Sequence, residues 1–435
     1  MEQAAIIGSL APAAIGLGRE LARLVAEDTL SQRAAETRPW GCCPECGKSL
    51  QSKGRRPRQL TTSVGVLKWS RAVGWCPAGC RIGQIVPLDD DLGLESGQRS
   101  NCELISLGCS LAVNVPFATT GQILERAVGE TLAASTIWSW VRGVGARALQ
   151  ALEAEIKAME TGDGPAVEVL EIRSRQLVMA IGADGVMVPF RPNPGSPKGP
   201  AQWREVKIAV LARLGRRISR CGETASQLLE RRLVAVLGDI DALAARLRLE
   251  AHRQGVFAAE RVVWISDGTR GLWRLFAEVL PKHATGILGF YHAAGQLWQA
   301  GEAWFGYRPS TEIWFRDVRS RLRQGKVDEI IAELDAESRK THRHIDRRAV
   351  IERVRDYLSN HRQHLDFPAF KAAELPLGSG FVESACKWLI QQRFKGVGMR
   401  WSEDGFSHLL LLRLAWANGR IDDLFQPLPL GSPNS

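Results

Sequence analysis

The sequence predicts an α/β protein with several domains, and three observations indicate this class. The chain has 435 residues, and since a domain usually holds about 100–200 residues, two or three domains are expected. Short β-branched runs alternate with helical apolar spacing, as where VVWISDG at 262–268 gives way to TRGLWRLFAEVL at 269–280. With 45% hydrophobic and 24% charged residues, the composition is that of a folded chain.

The first forty residues predict an amphipathic leader helix to which the sequence assigns no purpose. Glu2, Arg19 and Glu20 interrupt its apolar residues and no basic stretch precedes them, so it resembles neither a signal peptide nor a membrane span. We therefore expect a cytoplasmic, nucleoid-associated protein with no membrane partner. Thiols stay reduced there, so the nine cysteines favour metal ligation or burial over disulfides.

The distribution of charge favours double-stranded DNA as the partner. The net charge is +10, and a basic chain of this kind attracts nucleic acid. Between Gly47 and Ala78 there is no acidic residue, which predicts a phosphate-binding surface centred on Arg55, Arg56 and Arg58. The basic residues of this segment are Lys48, Lys53, Arg55, Arg56, Arg58, Lys68 and Arg71.

Two pairs of cysteines predict a structural zinc site in a zinc-ribbon-like module at 41–86. Cys43 and Cys46 form one close pair, and Cys76 and Cys80 form the second after a segment of β character. Four thiolates on two turns suit tetrahedral Zn²⁺. Cys42 remains an alternative to Cys43. The other four cysteines are predicted to be buried small hydrophobes: Cys102, Cys109, Cys221 and Cys386.

Residues 117–145 predict a helix-turn-helix unit within a helical domain at 87–160. A first helix breaks at Gly129 and a second begins near Ala133. In such a unit Ser135 and Thr136 face the DNA groove, while Ile137, Trp138 and Val141 pack inward. Any two short helices around a glycine fit the same template, so a purely structural helix pair remains the alternative.

Three carboxylates predict a second metal site. Asp184 follows an apolar run and precedes Gly185, which predicts a strand end or a sharp turn, and Asp267 ends VVWIS in the same way. Glu383 opens a helix that continues with basic residues. Carboxylates that converge in this way hold two Mg²⁺ or Mn²⁺ ions about 4 Å apart for phosphoryl transfer on DNA.

These motifs together resemble insertion-sequence transposases of the Kra group, bacterial relatives of the Mutator-like superfamily. The resemblance spans Cys43 to about Asn418, and its most specific part is GSGFVESACKWLIQQRFKGVGMRWSEDG at 378–405. The other similar segments are Ala183-Asp184-Gly185, WREVK at 203–207, Ser266-Asp267-Gly268, Phe290-Tyr291-His292-Ala293 and LDDDLGL at 88–94.

The resemblance implies a DDE transposase acting on terminal inverted repeats and target DNA, as a homodimer or higher oligomer. It implies an RNase H-like catalytic domain at 161–300 and 366–420, with a helical insertion at 301–365 and a disordered tail at 421–435. Asp184 would lie on the first strand, Asp267 after the fourth and Glu383 on a late helix, with His292 near the scissile phosphate or supporting Asp267. The residues expected to contact DNA from the last segment are Lys387, Arg393, Lys395, Arg400 and Trp401.

Packing in the core is the alternative for both His292 and Trp401. One position departs from the family pattern, because Gly289 stands where relatives carry an acid or Cys three residues before the histidine. The alternative function is therefore a DNA-binding derivative of a transposase with impaired catalysis.

Overall fold

A computed structural model describes residues 7–168, 176–192, 199–218, 222, 224–340 and 345–425. The chain forms two compact units, Met1–Gly143 with Asp422–Ser435, and Val144–Ile421. Cys221 and 426–435, most of the predicted disordered tail, lie outside the described residues. Disorder was the wrong prediction for 421–425, because Ile421 is buried and Asp422–Phe425 form a 3-10 turn. Within the described part, no helix has the length and apolarity to cross a membrane.

The first unit combines one β-hairpin with helices. Strand β1 reaches the two-residue turn at Thr62 and β2 leaves it at Gly65. The hairpin packs against the first helix through a small core of Ala34, Leu60 and Trp69 with neighbouring apolar residues. The elements are α1 (Ile7–Ala35), β1 (Gln51–Thr62), β2 (Gly65–Trp75), α2 (Pro87–Asp91), α3 (Cys102–Ala112), α4 (Phe117–Val128) and α5 (Ala134–Thr161), the last of which continues into the second unit.

The predicted pair of helices around Gly129 is confirmed. Helix α4 ends there because Gly129 has a φ of +81°, a left-handed conformation that glycine adopts without strain. Gly121 lets the connection pack on α4, since a Cβ at this position would lie 2.5 Å from the Leu132 carbonyl oxygen. Ile137 and Val141 are fully buried, as predicted for the inward face of α5.

The second unit is built on a five-stranded mixed sheet with the order β5-β4-β3-β6-β7. Strands β3, β4 and β5 pair antiparallel, whereas β3, β6 and β7 are parallel. Strand β5 was not predicted from the sequence. The aliphatic pattern of GILGFYHA at 286–293 predicts a strand, but the strand ends at Leu288 because a helix begins at Phe290. The strands are β3 (Val178–Phe190), β4 (Gln202–Ile218), β5 (Thr224–Leu237), β6 (Val262–Ser266) and β7 (Thr285–Leu288).

Alternation along β3 sends successive side chains to opposite faces of the sheet. Met179, Ile181 and Ala183 pack with helices α6 (Ile240–Arg253) and α7 (Arg270–Val279) in one core. Asp184 therefore projects from the other face, where a second core forms around Val263 and Ile265 of β6. The two faces give the unit three layers.

The described residues of the predicted insertion at 301–365 are mainly helical, as expected. Apolar side chains such as Val318, Leu322 and Leu334 from these helices fill the second core. The helices that follow β7 are α8 (Phe290–Phe305), α9 (Arg308–Arg323), α10 (Val327–Ser338), α11 (Ile345–Asn360), α12 (Phe367–Ala372), α13 (Gly380–Ala385), α14 (Gln392–Phe394) and α15 (Glu403–Ala417). A π-helical segment, Cys386–Gln391, joins α13 to α14.

Candidate carboxylate site and cysteine cluster

Asp184 lies on β3, and Asp267 lies at the same level as the first residue after the neighbouring parallel strand β6. Gly182 of β3 pairs with Ile265 of β6, so each aspartate stands two residues beyond that pair. Parallel strands are about 4.8 Å apart, which brings the two residues together. The sequence predicted a strand end or a sharp turn at Asp184. That prediction is wrong, because β3 continues through Asp184 to Phe190 in register with β4. The neighbouring strand β6 is the one that ends there.

Glu383 reaches the same face from helix α13, which packs directly on β3. A Cβ on Gly182 would lie 2.6 Å from Val382 Cγ2, so the absence of a side chain lets the helix approach the strand. One turn beyond Glu383, the Cys386 thiol donates to Asp184 Oδ2 across 3.9 Å. Glu383 and Cys386 are three residues apart and share a helix face, so Glu383 faces the aspartates.

The loop after β6 holds Asp267 through both of its carboxylate oxygens. The backbone N–H and the hydroxyl of Thr269 donate to Oδ1 and Oδ2, each at 2.9 Å. The Trp273 indole donates to the Asp267 carbonyl at 2.8 Å. Tyr357 of α11 covers Gly268 so closely that a Cβ there would lie 2.0 Å from its ring. The helical insertion thus supports the position of Asp267.

A hydrogen-bonded chain links His292 to Glu383 through Ser379. Ser379 Oγ donates to Glu383 Oε1 at 3.1 Å and lies 2.9 Å from His292 Nε2. Since a serine hydroxyl has one proton to donate, Nε2 must be the protonated ring nitrogen and the donor to Ser379. Sequence analysis missed Ser379, whose only signal was its place in the glycine-rich turn before α13.

Gly289 occupies an ordinary backbone conformation at the start of α8, with a φ of −53°. Its N–H donates to the Ser266 carbonyl at 3.0 Å. A Cβ at this position would lie 3.0 Å from His292 Cδ2 and 3.7 Å from Ser379 Oγ. A side chain here would therefore contact both residues of the chain that leads to Glu383.

The carboxylates crowd negative charge at one place. Burial raises the pKa of Asp184, and Asp267 and Glu383 add to this effect, which outweighs the opposing hydrogen bond from the Gly185 N–H and the pull of His292. Among the described residues, these acids do not form a cluster with all ligand oxygens within 4.8 Å. Two ions about 4 Å apart spread their ligands more widely than one ion does, and carboxylate oxygens are the donors that Mg²⁺ and Mn²⁺ prefer.

The four predicted zinc ligands come together. The sulfurs of Cys43, Cys46, Cys76 and Cys80 all lie within 4.8 Å of one another, and this is the sole cluster of that tightness in the described ranges. The Cys46 and Cys76 sulfurs are 3.5 Å apart, close to the ~3.8 Å separation in a tetrahedron with Zn–S bonds of about 2.3 Å. Cys42 is exposed and outside the cluster, so Cys43 is the member that fits.

The hairpin explains how two distant cysteine pairs meet. β1 begins after the first pair and β2 ends at Trp75, immediately before Cys76, and Gln51 pairs with Trp75 at the open end. Burial raises the pKa of the Cys76 thiol, but hydrogen bonds from the Ala78 N–H and from Cys46 outweigh it and lower the pKa to about 7. A thiol with a lowered pKa releases its proton readily when a metal binds to its sulfur. The cluster is compatible with a zinc ribbon.

Of the other cysteines, Cys109 and Cys386 are buried as predicted. Cys102 is exposed, and the prediction that it is buried is wrong, because it is the first residue of α3 and lies outside the apolar face of that helix.

The basic segment of the hairpin divides into structural and exposed residues. Arg71, counted in the predicted phosphate-binding surface, is instead buried and pairs with Asp89 of α2 at 2.9 Å. Arg55 donates to the carbonyls of Ala34 and Ser70, which close the helix onto the hairpin. Arg56 is exposed, and Arg58 is half-buried with one bond to the Glu95 carbonyl.

The predicted contacts around the Glu383 helix divide in the same way. Lys387, Lys395 and Arg400 are exposed. Arg393 is only 2% exposed, so it cannot reach a phosphate on the surface, because it is held beneath Trp401 with its guanidinium 5.5 Å from the ring. Trp401 is packed in the core and donates to the Phe394 carbonyl at 2.9 Å, so the packing alternative holds rather than a contact with a splayed base.

The second helix of the glycine-linked pair offers its N-terminal residues to solvent. Ser135 is exposed and Thr136 is half-buried. Both lie in the first turn of α5, which begins at Ala134.

Comparisons with known proteins give little. No family model matches the chain, and no curated protein matches it. Among solved structures it is similar to the Drosophila P element transposase strand transfer complex, with 9% identity over 77% of this chain and 83% of that chain and a TM-score of 0.26. A superposition this loose does not establish a common fold.

Proposed function

We propose that this protein is a DNA transposase of the DDE type, with Asp184, Asp267 and Glu383 as the ligands of two Mg²⁺ or Mn²⁺ ions. The observation that carries the proposal is the convergence of three acids from distant parts of the chain on one face of the sheet. Asp184 on β3 is level with Asp267, which directly follows the paired strand β6, and the Glu383 helix packs on Gly182 beside them.

The RNase H-like catalytic domain that the family resemblance implies is part of the proposal. It requires the first acid on the first strand, the second after the fourth strand, and a third on a late helix. Counted within the second unit, Asp184 is on the first strand, Asp267 follows the fourth, and Glu383 is on α13 after a helical insertion. The order of the strands, with the first in the middle, supports the same fold.

The chemistry assigned to the site is cleavage and transfer of a DNA strand. Bound metal ions would supply a Lewis acid at the scissile phosphate and would activate water or a 3′-hydroxyl. Thr269 fixes both carboxylate oxygens of Asp267, and Ser379 fixes one oxygen of Glu383. These bonds keep each carboxylate oriented, and His292 holds Ser379 in turn.

Recognition of DNA is assigned to both units. The exposed Arg56 and the partly engaged Arg55 and Arg58 would bind backbone phosphates, and Ser135 and Thr136 would face a groove. Lys387, Lys395 and Arg400 would hold DNA near the carboxylates. The substrates would be terminal inverted repeats and target DNA, with structural zinc in the cysteine cluster.

The proposal is tested by measuring the rates at which the protein nicks and joins DNA that carries the terminal inverted repeats of the insertion sequence encoding it. Asp184→Asn, Asp267→Asn and Glu383→Gln should each lower the rate by about a thousandfold or more while the fold persists. Asp241→Asn is the matched control, because Asp241 is an exposed acid of the same unit that pairs with Arg274 on α7. Its rate should equal that of the wild type.

Three results would overturn the assignment. Wild-type rates in the three site variants would exclude these ligands. Equal cutting of random duplexes would favour a general nuclease of the same fold. Salt-dependent binding of the element ends without any turnover in Mg²⁺ or Mn²⁺ would favour the catalytically impaired derivative.

A further inference from the structure

A cleft of about 840 Å³ lies between helices α7 and α11, beside the carboxylate site. Gly268, which directly follows Asp267, is part of its lining, and so is Tyr357. Burial raises the pKa of the Tyr357 hydroxyl, and the nearby charge of Asp267 adds to this effect. None of the proposed metal ligands is among the described residues of the lining. The α7–α11 cleft is therefore a separate feature that adjoins the carboxylates.

Three aromatic side chains of the lining contact one another and form an aromatic wall. The ring of His361 lies 5.4 Å from that of Trp273 and 5.0 Å from that of Tyr357, measured between centroids. All three are half-buried, and His364 stacks on Trp273 with centroids 4.0 Å apart, which fixes that ring. Nucleobases of any sequence stack on aromatic rings presented in this way.

Two arginines of the lining have no carboxylate partner in the described part of the chain. Arg270, the first residue of α7, is exposed. Arg353 of α11 is exposed as well and donates to the side-chain oxygens of Gln296 and Gln299, which are neutral. Since guanidinium groups bind phosphate through paired N–H donors, these two can hold an anion in the cleft.

The acidic residues of the lining do not cancel this charge. Glu352 pairs with Arg348 at 2.8 Å, and Asp356 pairs with Arg355 at 2.7 Å. Both acids are thus already matched by arginines of their own helix. The charge that remains for an occupant is positive, which is complementary to a phosphate group.

Polar groups at the end of α11 complete the lining. Asn360 is exposed, and its amide can both donate and accept hydrogen bonds. His361 Nδ1 lies 2.8 Å from the Tyr357 carbonyl oxygen, so Nδ1 carries the proton and Nε2 of the neutral ring is an acceptor. These groups suit the donor and acceptor edge of a nucleobase.

The size of the cleft selects a single nucleotide over a double helix. Its volume of about 840 Å³ falls within the range of about 300–1,000 Å³ found for small-molecule sites. A duplex does not fit, because its major groove alone is about 12 Å wide. An occupant with a flat ring, a phosphate group and access to the carboxylates is an unpaired nucleotide.

We propose that the α7–α11 cleft binds one unpaired nucleotide of the DNA strand held at the carboxylate site, with its base on the aromatic wall and its phosphate on Arg270 and Arg353. The inference rests on the proposed function for the presence of that strand. It assigns a further binding site to the helical insertion, because α11 supplies most of the lining.

Fluorescence anisotropy of labelled terminal-repeat DNA, measured without divalent metal so that no strand is cut, tests the proposal. Fully paired DNA is compared with DNA that carries a short run of mismatched thymidines at the outer end of the repeat. The wild type should bind the mismatched DNA about tenfold more tightly. Arg270→Ala with Arg353→Ala should bring the two affinities within about twofold of each other.

Arg274→Ala with Arg347→Ala is the matched control, because it removes two exposed arginines from the same helices but outside the lining. It should keep the wild-type ratio of affinities, and both double variants should keep the wild-type thermal transition. Irradiation of DNA with iodouracil at the mismatched positions should crosslink the wild type at Trp273, Tyr357 or His361.

Equal binding of the two DNAs by the wild type, an unchanged ratio in the cleft variant, or crosslinks only outside the cleft would overturn the proposal. These results are distinct from a failure of the carboxylate assignment, since binding is measured without turnover. A protein that cuts DNA but shows no preference for mismatches lacks the nucleotide site alone, whereas an inactive protein with the expected ratios and crosslinks has it. Loss of the crosslink in micromolar ATP would assign the cleft to a free nucleotide and overturn the DNA strand as its source.

Discussion

The cysteine cluster and the carboxylate site both gather metal-binding side chains, but the chain assembles them in different ways. The four sulfurs lie within 4.8 Å of one another, and each pair comes from one local turn at the open end of a single hairpin. The carboxylates come from a strand, a loop and a helix, and meet only when the whole sheet and its covering helices have formed.

This difference predicts opposite roles for the two metals. The first unit has a small core around the hairpin, so a structural metal would contribute much of its stability. The second unit has two large cores on the two faces of its sheet. Its scaffold holds the carboxylates in place without a metal, at the cost of unfavourable repulsion among them.

The largest effect should follow the loss of a cysteine ligand. Cys76→Ser removes a buried thiol from the cluster, and since zinc binding supplies apparent free energies of about 10–16 kcal/mol in small zinc modules, the hairpin region should unfold. Zinc content measured by atomic emission should fall to zero. A separate low-temperature transition should appear in calorimetry.

Cys42→Ser is the control for that variant, because Cys42 is exposed and outside the cluster. It should keep one zinc and the wild-type transition. If Cys42→Ser lost the metal and Cys43→Ser kept it, the assignment of the ligands would be reversed.

The next largest effect should follow the loss of the buried Arg71–Asp89 ion pair, and it measures how much of the stability of the first unit comes from contacts other than the metal. Arg71 and Asp89 form a buried ion pair with side chains 7% and 10% exposed, and Arg71 also donates to the carbonyls of Arg56 and Pro57. Removing one partner leaves a buried charge, so Arg71→Met should cost about 3–5 kcal/mol of unfolding free energy with zinc still bound.

Urea denaturation monitored by Trp fluorescence measures this cost. Arg56→Met, at an exposed position of the same strand, should change the free energy by no more than about 0.5 kcal/mol. A cost for Arg71→Met as small as that of the control would mean that the cysteine cluster with its metal holds the unit together without this ion pair.

The two sites also differ in how much of them the sequence revealed. Cys43, Cys46, Cys76 and Cys80 were foreseen as a group because thiolate pairs on short turns carry their geometry in their spacing. The helical insertion at 301–365 was expected from the family resemblance, and the apolar spacing of Trp314, Val318 and Leu322 has the same helical period.

What the sequence could not predict depends on tertiary packing. Asp184 seemed to end a strand because glycine follows it, but pairing with β4 carries the strand past it. Arg71, Arg393 and Trp401 were assigned to DNA on charge or ring type, and burial decides otherwise for all three. The place of Ser379 in a glycine-rich turn was too weak a signal, since its role arises only when α8 brings His292 against it.

A smaller effect should follow the loss of the bond that orients Glu383. Ser379→Ala removes the donor to Glu383 Oε1, and outer partners of metal ligands are typically worth about 10–100-fold in metal affinity or activity. Mn²⁺ affinity, measured by electron paramagnetic resonance without DNA, should weaken by about that factor.

Ser402→Ala is the control, because Ser402 caps α15 in the same unit through a bond to the Gly405 N–H. It should lower stability slightly and leave Mn²⁺ affinity unchanged. Equal affinities of Ser379→Ala and the wild type would show that the scaffold orients Glu383 without this hydrogen bond.

The smallest expected effect is a gain in thermal stability on replacing Asp184, whereas replacing a cysteine of the cluster should lower stability. Burial and the neighbouring acids raise the pKa of Asp184 in the folded protein, so its charged form disfavours folding. This penalty is fully present above the raised pKa and disappears as the pH falls below the unfolded value of about 3.9. Asp184→Asn removes it, and without divalent metal the variant should melt about 1–3 °C above the wild type at pH 7.

The change in melting temperature of Asp184→Asn should depend on pH and on Mg²⁺. The gain should shrink as the pH approaches about 4, and it should reverse in saturating Mg²⁺, because only the wild type is then stabilised by binding. Asp241→Asn, at an exposed ion pair, should show neither change. If Asp184→Asn melted below the wild type at pH 7 without metal, the carboxylate would be a structural anchor like the cysteines, and the contrast between the two sites would not hold.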